Sequence, residues 1–304
     1  MIAFIFSMLS LDDLRRLADQ FSDCLNLRVR EFEIGGRPFA FNERPHLMGV
    51  VNLSPDSWYR ESVSLTVEQA IRRGRRLAVE GADLVDVGSE STLARAERVD
   101  AKTQDNKMAP VIRGLSEAGI LVSAETYHRS VAEACLDAGA SVLNLTGTTQ
   151  TGDIFRVVAE CKAAVILCYV EGEHVRAVGD FALEDDMIPA MTDYFSRKVD
   201  EATRLGVTKI LLDPGLGFYY QNLRDSATRV LHQMRTFLNT FRLRKLGWPV
   251  CHALPHAFEY FEEEVRCAEP FFAVLALLGE ADLLRTHEVA RVRGVARASG
   301  VWPS

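Results

Sequence analysis

The stretch MIPAMTDYFSRKVDEATRLGVTKILLDPGLG, residues 187–217, decides the fold. It starts with a helical pattern over residues 187–205 and continues through Gly206 into a short apolar run over residues 209–212. Glycine just past a helix adopts the left-handed conformation at no steric cost, so Gly206 predicts the end of the helix. The stretch therefore predicts a helix, then a buried strand, then a glycine-rich turn that begins at Asp213.

The same alternation of apolar runs and helical segments extends over most of the chain. Eight runs predict strands: residues 47–53, 84–87, 120–123, 141–145, 164–169, 209–212, 249–253 and 283–286. Near-continuous apolar strands separated by helices indicate a parallel sheet covered by helices. Eight such units in 304 residues predict an α/β protein of the (β/α)8 TIM-barrel type. Four glycines mark predicted helix ends at the bottom of this barrel: Gly81, Gly139, Gly206 and Gly279.

The segment before the barrel has a different pattern. Residues 11–21 place their leucines on one helical face, and residues 29–41 alternate around Gly35-Gly36 as a β-hairpin does. We therefore expect two parts, an N-terminal extension of helix plus hairpin over residues 1–44 and a barrel over residues 45–304. Residues 1–9 are apolar but lack the basic start and the cleavage site of a signal peptide.

Composition narrows the classes of function. The chain is 48% hydrophobic and 25% charged, which excludes global disorder, collagen-like repeats and a disulfide scaffold. Its formal net charge is −7 and it has no long Lys/Arg block, which argues against a nucleic-acid or membrane partner and favours a small-molecule site. The six cysteines form no CxxC pair, so we expect reduced thiols and a cytoplasmic protein.

The residues that follow the predicted strands form an ordered series of motifs. They are Asn52-Leu-Ser-Pro-Asp-Ser57, Gly88-Ser-Glu-Ser-Thr92, Glu125, Asn144, Asp213-Pro-Gly-Leu-Gly217-Phe and Arg285-Thr-His287. Function in a barrel of this type lies at the carboxyl ends of the strands. In this combination and order, the series resembles the dihydropteroate synthase family of pterin-binding barrels over residues 32–297. The resemblance implies the same barrel fold and a pterin substrate.

Arg285 and His287 are the first predicted functional pair. Residues i and i+2 of a strand point to the same face, and guanidinium groups bind phosphate oxygens in a bidentate fork. The resemblance implies that this pair holds the pyrophosphate of the pterin substrate. The alternative is an interdomain or rim salt bridge to Glu288.

Asp213 and Asn144 are the predicted readers of the pterin ring. A carboxylate accepts two N–H donors from a planar amidine-like edge, and an amide both donates and accepts. The alternative for Asp213 is a cap on the following turn. The resemblance adds Thr92 and Gly217 through the matching loops, and it adds Glu125 where the family has Asp. The predicted catalytic residues are Arg285, His287 and Asp213.

Asn52 is the predicted metal-site residue. The resemblance places it beside the pyrophosphate and its Mg²⁺, so Mg²⁺ is the expected cofactor. The alternative is an asparagine that only starts the turn before Ser54-Pro55.

One motif departs from the family pattern. The family has Ser-Arg-Lys after its seventh strand, where this chain has Pro255, His256 and Ala257. Cys251 and His252, together with His256, have the side chains of a zinc site, but adjacent residues in a strand face opposite sides, which argues against such a site.

The expected function is a dihydropteroate synthase-like transfer. A dihydropterin pyrophosphate condenses with an amine acceptor, p-aminobenzoate or another, and pyrophosphate is released. The missing Ser-Arg-Lys motif leaves a non-catalytic pterin-binding or scaffold homologue as the alternative. A pterin-barrel methyltransferase is disfavoured, because methyl transfer needs no diphosphate site. The resemblance also implies a possible homodimer through the last helices.

Overall fold

The computed structural model describes residues 10–54, 63–64, 66–90, 99–174, 183–217 and 225–302. The strands are β1 (Phe32–Ile34), β2 (Arg37–Phe39), β3 (His46–Asn52), β4 (Leu84–Gly88), β5 (Val122–Thr126), β6 (Val142–Leu145), β7 (Ala164–Cys168), β8 (Ile210–Asp213), β9 (Cys251–Ala253) and β10 (Leu283–Thr286). The α-helices are α1 (Leu11–Gln20), α2 (Val67–Glu80), α3 (Ala101–Ser116), α4 (Arg129–Asp137), α5 (Thr151–Glu160), α6 (Ile188–Arg204), α7 (Ser226–Asn239), α8 (Phe258–Phe261), α9 (Ala268–Leu278) and α10 (Val289–Ala298).

Strands β3–β10 form one parallel sheet that curls into a barrel. Its order is β8-β7-β6-β5-β4-β3-β10-β9, and β10 returns beside β3 with Leu283 opposite His46. A single parallel bridge between Leu212 and Val250 joins β8 to β9 and brings the two edges together. The predicted TIM barrel is therefore confirmed. The strand predicted over residues 120–123 begins two residues too early, because β5 starts at Val122. β5 continues to Thr126, and Glu125 therefore lies inside it.

The hairpin β1–β2 covers the bottom of the barrel. Gly35 and Gly36 have φ values of +54° and +77°, the left-handed conformation that a tight two-residue hairpin turn requires. Buried apolar side chains of this segment, including Ile34 and Phe39, pack against the barrel interior at Met48. The predicted hairpin is confirmed and is shorter than expected. The domain boundary between residues 44 and 45 stays a prediction.

The helices cover the outside of the sheet. A Cβ at Gly49 would lie 3.0 Å from the Cβ of Leu77, so α2 approaches β3 closely at this glycine. At the start of α2, the Thr66 hydroxyl accepts a hydrogen bond from the N–H of Gln69, which satisfies one of the unpaired donors of the first turn. Among the described helices, none combines the length and the apolar character needed to cross a membrane.

Three of the four predicted helix-end glycines are left-handed, with φ values of +112° at Gly81, +108° at Gly139 and +93° at Gly206. Gly279 also marks a helix end, as the C-cap of α9, but the expected left-handed conformation was wrong there: its φ is −86°, and Glu280 takes the left-handed position with φ +59°. The reason for glycine at 279 is space, since a Cβ there would lie 1.9 Å from the carbonyl oxygen of Phe237.

Candidate active site

The barrel interior changes from apolar to polar along the strands. Leu84, Val142 and Leu283 lie in the apolar cluster closed by the hairpin. Side chains two residues further along a strand point to the same face. The next interior positions of β4, β6 and β10 are therefore Asp86, Asn144 and Arg285. The carboxyl-terminal mouth of the barrel thus carries a polar layer, which we call the polar mouth and define as Asp86, Glu125, Asn144, Asp213 and Arg285.

Arg285 lies at the centre of the polar mouth. Its Nε donates to Oδ2 of Asp86 at 2.7 Å, and its Nη2 donates to Oε2 of Glu125 at 2.5 Å. The Nδ2 of Asn144 donates to the same Asp86 oxygen at 3.2 Å. Sequence reasoning missed Asp86. Its signal was a lone carboxylate within an otherwise apolar predicted strand.

Burial sets the protonation of two acids of the polar mouth, Glu125 and Asp213. Burial raises the pKa of Glu125; the charge of Arg285 opposes this rise and the carboxylates of Asp86 and Asp213 add to it, so that the pKa lies at about 7. Burial also raises the pKa of Asp213 to about 6, although the N–H of Gly215 and the charge of Arg285 lower it. Burial lowers the pKa of Arg285, but Glu125 and Asp86 outweigh burial and hold that pKa above its ordinary value. The guanidinium is therefore charged, and both acids titrate near neutral pH.

Asp213 ends β8 and also caps the turn that follows. Its Oδ1 accepts a hydrogen bond from the backbone N–H of Gly215 at 2.8 Å. One oxygen of the Asp213 carboxylate therefore caps the turn, as the alternative to a pterin contact expected. In the same turn, a Cβ at Gly217 would lie 3.4 Å from the Cβ of Ala253 in β9. Thr92 lies outside the described residues.

His287 and Asn52 meet at the ends of β10 and β3. The Nε2 of His287 lies 3.5 Å from the Nδ2 of Asn52, and its Nδ1 lies 2.7 Å from Oε1 of Glu269. Burial lowers the pKa of His287 to about 4, although the Glu269 carboxylate raises it. Sequence reasoning missed Glu269, whose signal was a lone charge in the apolar helix α9.

The predicted pair Arg285 and His287 therefore takes two different sets of partners at one mouth. Arg285 pairs with carboxylates of the polar mouth, whereas His287 contacts Asn52 and Glu269. The rim salt bridge considered for this pair is wrong, because the Glu288 carboxylate pairs with Arg266 at 2.7 Å and with Arg291 at 2.8 Å.

The fold separates the cysteine–histidine group, of which Cys251 and His252 lie in β9 and His256 follows it. Cys251 lies in the interior apolar cluster, whereas Nε2 of His252 lies 2.7 Å from the hydroxyl of Thr240 on the helix side of the sheet. The expectation that these two side chains face opposite sides is confirmed. His256 lies elsewhere, with its Nε2 at 3.2 Å from Oε1 of Glu269.

Comparisons with known proteins identify the family of the chain. The model of a family described as "Pterin binding enzyme" matches residues 48–254. The dihydropteroate synthase of Synechocystis sp. is 29% identical, over 96% of this chain and 100% of that protein. The dihydropteroate synthase of Streptococcus pyogenes is 30% identical, over 70% of this chain and 75% of that protein. A structure of Xanthomonas albilineans dihydropteroate synthase with 4-aminobenzoic acid aligns with TM-score 0.74 at 27% identity, over 90% of this chain and 100% of that chain.

A barrel with a polar mouth and these relatives defines a pterin-binding enzyme of the transferase class. The chain belongs to the dihydropteroate synthase family. The resemblance read from the strand-end motifs is thereby confirmed. None of these comparisons favours the non-catalytic alternative.

Proposed function

We propose that the chain condenses a dihydropterin pyrophosphate with an aromatic amine and releases pyrophosphate. The bond between the pterin methylene carbon and the diphosphate oxygen breaks, a carbon–nitrogen bond forms, and the amine loses a proton. The polar mouth carries this proposal, because it places buried acids and a fixed guanidinium at the strand ends of a pterin-binding fold. The 4-aminobenzoic acid in the Xanthomonas structure supports p-aminobenzoate as the first acceptor to test.

Asp213 and Asn144 are the proposed contacts of the pterin ring. The ring edge offers N–H donors side by side, which one ionised carboxylate accepts, and an amide pairs with a donor and an acceptor. Glu125 is a third proposed contact. Its carboxylate already accepts from Arg285 at 2.5 Å, which couples the ring site to the cation. Thr92 and Gly217 complete the proposed substrate-binding set through their loops.

Arg285 and His287 are the proposed contacts of the diphosphate. Arg285 donates two of its five N–H groups to Asp86 and Glu125 among the described residues, which leaves donors for phosphate oxygens. Charge develops on the diphosphate as the carbon–oxygen bond breaks. A guanidinium already fixed by two carboxylates stabilises this charge without reorganisation.

The fit of Mg²⁺ rests on the donors at Asn52. Its carboxamide oxygen is a ligand type that Mg²⁺ accepts, whereas the neighbouring imidazole of His287 suits transition metals. Asn52 would therefore hold a Mg²⁺ through its carboxamide oxygen. When bound, it would neutralise part of the diphosphate charge.

We also propose a homodimer and a cytoplasmic location. Val274 and Leu278 are one helical turn apart on α9, and both are exposed large apolar side chains. They support a contact through the last helices, which sedimentation of Leu278→Glu against the wild type tests. All six cysteines are free thiols, which supports a reducing compartment.

The first experiment is a calorimetric titration with dihydropterin pyrophosphate, with and without Mg²⁺, followed by an assay of pyrophosphate release with p-aminobenzoate. We expect micromolar binding that Mg²⁺ strengthens, and turnover. Binding without turnover, for p-aminobenzoate and for other arylamines, would support the non-catalytic alternative. No binding by folded protein would contradict the proposal.

A further inference from the structure

Three side chains from separate segments converge beside the polar mouth. His256 follows β9, Glu269 lies in the first turn of α9, and His287 follows β10. One nitrogen of each imidazole and one oxygen of the carboxylate all lie within 4.8 Å of one another. We call these three residues the mouth triad. It combines two imidazoles and one carboxylate, a donor set that binds divalent transition metals.

The two carboxylate oxygens of Glu269 have different partners. Oε2 accepts hydrogen bonds from the Thr286 hydroxyl and from the backbone N–H groups of His287 (2.9 Å) and Glu288 (3.2 Å). Oε1 faces both imidazoles, 2.7 Å from Nδ1 of His287 and 3.2 Å from Nε2 of His256. The carboxylate is thus fixed through one oxygen and presents the other to the space between the rings.

The charges around the mouth triad suit a cation. Glu269 is buried, and its Oε2 accepts hydrogen bonds from the Thr286 hydroxyl and from two backbone N–H groups, which favour the ionised carboxylate. Three arginines lie near the mouth triad: Arg285 pairs with Asp86 and Glu125, Arg266 pairs with Glu288, and Arg73 donates to the backbone carbonyl of His287 at 3.0 Å. A buried carboxylate is stabilised by a paired charge or a metal.

The backbone beside His256 is strained. Ala257 has φ +43°, a left-handed conformation that a non-glycine residue rarely adopts. Such a conformation costs about 1 kcal/mol or more and persists where the surrounding structure requires it, often at functional sites. Here it lies at the turn that carries His256 from the end of β9 toward Glu269.

We propose that His256, Glu269 and His287 bind one first-row transition-metal dication, with Zn²⁺ as the favoured ion. Three protein ligands of the His₂Glu type leave a fourth position open, as in catalytic zinc sites. Metal bonds of about 2.1 Å need donors about 3.4 Å apart. Oε1 of Glu269 lies 2.7 and 3.2 Å from the two ring nitrogens, and the three donors all lie within 4.8 Å of one another. The site is distinct from the Asn52 site, because imidazole ligands disfavour Mg²⁺.

Metal binding here does not require the transferase reaction. His287 ligates through Nδ1, which leaves its Nε2 toward Asn52 and the proposed diphosphate site. The metal is therefore measured on the full chain without any pterin, so that failure of the proposed reaction and failure of the metal site are separate results.

The test uses Zn²⁺ and Co²⁺ alone as probes. The dialysed wild type should bind one equivalent of Zn²⁺, which also raises its Tm, and Co²⁺ should give the visible absorption of a four-coordinate nitrogen and oxygen site. His256→Ala and Glu269→Gln should weaken Zn²⁺ binding by at least about 100-fold, because loss of even an outer-shell partner costs about 10–100-fold.

The matched control is His128→Ala, which removes another half-buried histidine at the start of α4. It should bind Zn²⁺ as the wild type does. His256 is itself half-buried, so its variant should keep the fold if Glu269→Gln loses it, and circular dichroism checks both. A wild type that binds neither probe would overturn the proposal and leave the triad as hydrogen bonds alone. Wild-type affinity in His256→Ala would overturn it equally.

Discussion

Arg285 and Asp86 form a 2.7 Å ion pair across the barrel interior, although their strands β10 and β4 are not neighbours. Strand β3 lies between them, so the guanidinium reaches past one strand to its partner. Both side chains are buried or nearly so. Removing one member of such a pair leaves an uncompensated charge in a low-dielectric interior, which costs more free energy than the pair itself contributes.

Asp86→Asn should therefore destabilise the protein strongly. Of the two carboxylates that pair with Arg285, only Glu125 would remain. We expect a loss of about 3 kcal/mol in the free energy of unfolding. Urea unfolding measures it. The control is Asp19→Asn, which breaks the exposed pair with Arg15 and should cost less than about 0.5 kcal/mol. Equal effects of the two variants would contradict a structural role of the Arg285–Asp86 pair.

Arg285→Ala should abolish the binding of inorganic pyrophosphate. The proposed diphosphate site depends on the one guanidinium that Asp86 and Glu125 hold in place. Arg285→Lys keeps the charge but lacks the fork that contacts two partners at once, so we expect intermediate affinity. Calorimetry with pyrophosphate measures both variants. Unchanged affinity in Arg285→Ala would remove this residue from the diphosphate site.

Pterin binding should strengthen as the pH rises through the pKa of Asp213. Burial raises this pKa to about 6, so the acid is protonated below that pH and cannot accept two N–H groups from the ring. Below its pKa we expect this group to cost about a tenfold loss of affinity per pH unit. Asp213→Asn should bind weakly and lose the part of the dependence centred near pH 6, whereas the part from Glu125, whose pKa burial raises to about 7, should remain. The ligand's own titration is common to both proteins and cancels in their difference. A variant with the wild-type pH profile would contradict the assignment.

His252 should make the protein less stable in acid. Burial lowers its pKa from 6.5 to about 3. Between these two pH values His252 is protonated in the unfolded chain and neutral in the folded protein. The free energy of unfolding then falls as the pH drops from 6.5 toward 3, by up to about 1.4 kcal/mol per pH unit from this group.

Urea unfolding of His252→Gln at several pH values tests this contribution. The variant lacks the titrating ring, so its stability should depend less steeply on pH than that of the wild type. Asn239→Ala is the control, because it changes α7 without removing a titratable group and should keep the wild-type slope. If the free energy of unfolding depended on pH with the same slope in His252→Gln and the wild type, His252 would not be the source of the acid sensitivity.

Two glycines at helices should respond to alanine in opposite directions. At Gly279 the added Cβ would meet the carbonyl oxygen of Phe237 at 1.9 Å, so we expect Gly279→Ala to cost about 3 kcal/mol. At Gly294, inside α10, the added Cβ meets nothing within 4 Å, and alanine should stabilise the helix by about 0.5–1 kcal/mol. Thermal unfolding measures both. A destabilised Gly294→Ala would show that the helix surface there is not open.

The sequence by itself determined the barrel, the hairpin and the family. These features depend on local patterns: the two-residue period of β1 and β2, the apolar runs of the eight barrel strands, and the motifs where those strands end. Even the position of Asp213 at the end of β8 was predictable, because the carboxyl end of a buried strand fixes which residue faces the mouth. The roles assigned to the site residues stay proposals.

Only the tertiary structure decided which side chains meet. Asp86 pairs with Arg285, 199 residues away in the chain, and Glu269 meets His256 and His287 because α9 places its first turn against two strand ends. At Gly279 the contact with Phe237 determines the need for glycine, and the left-handed position passes to Glu280. Such contacts depend on barrel closure and helix packing, which bring together segments that are far apart in the chain. No local sequence pattern signals them.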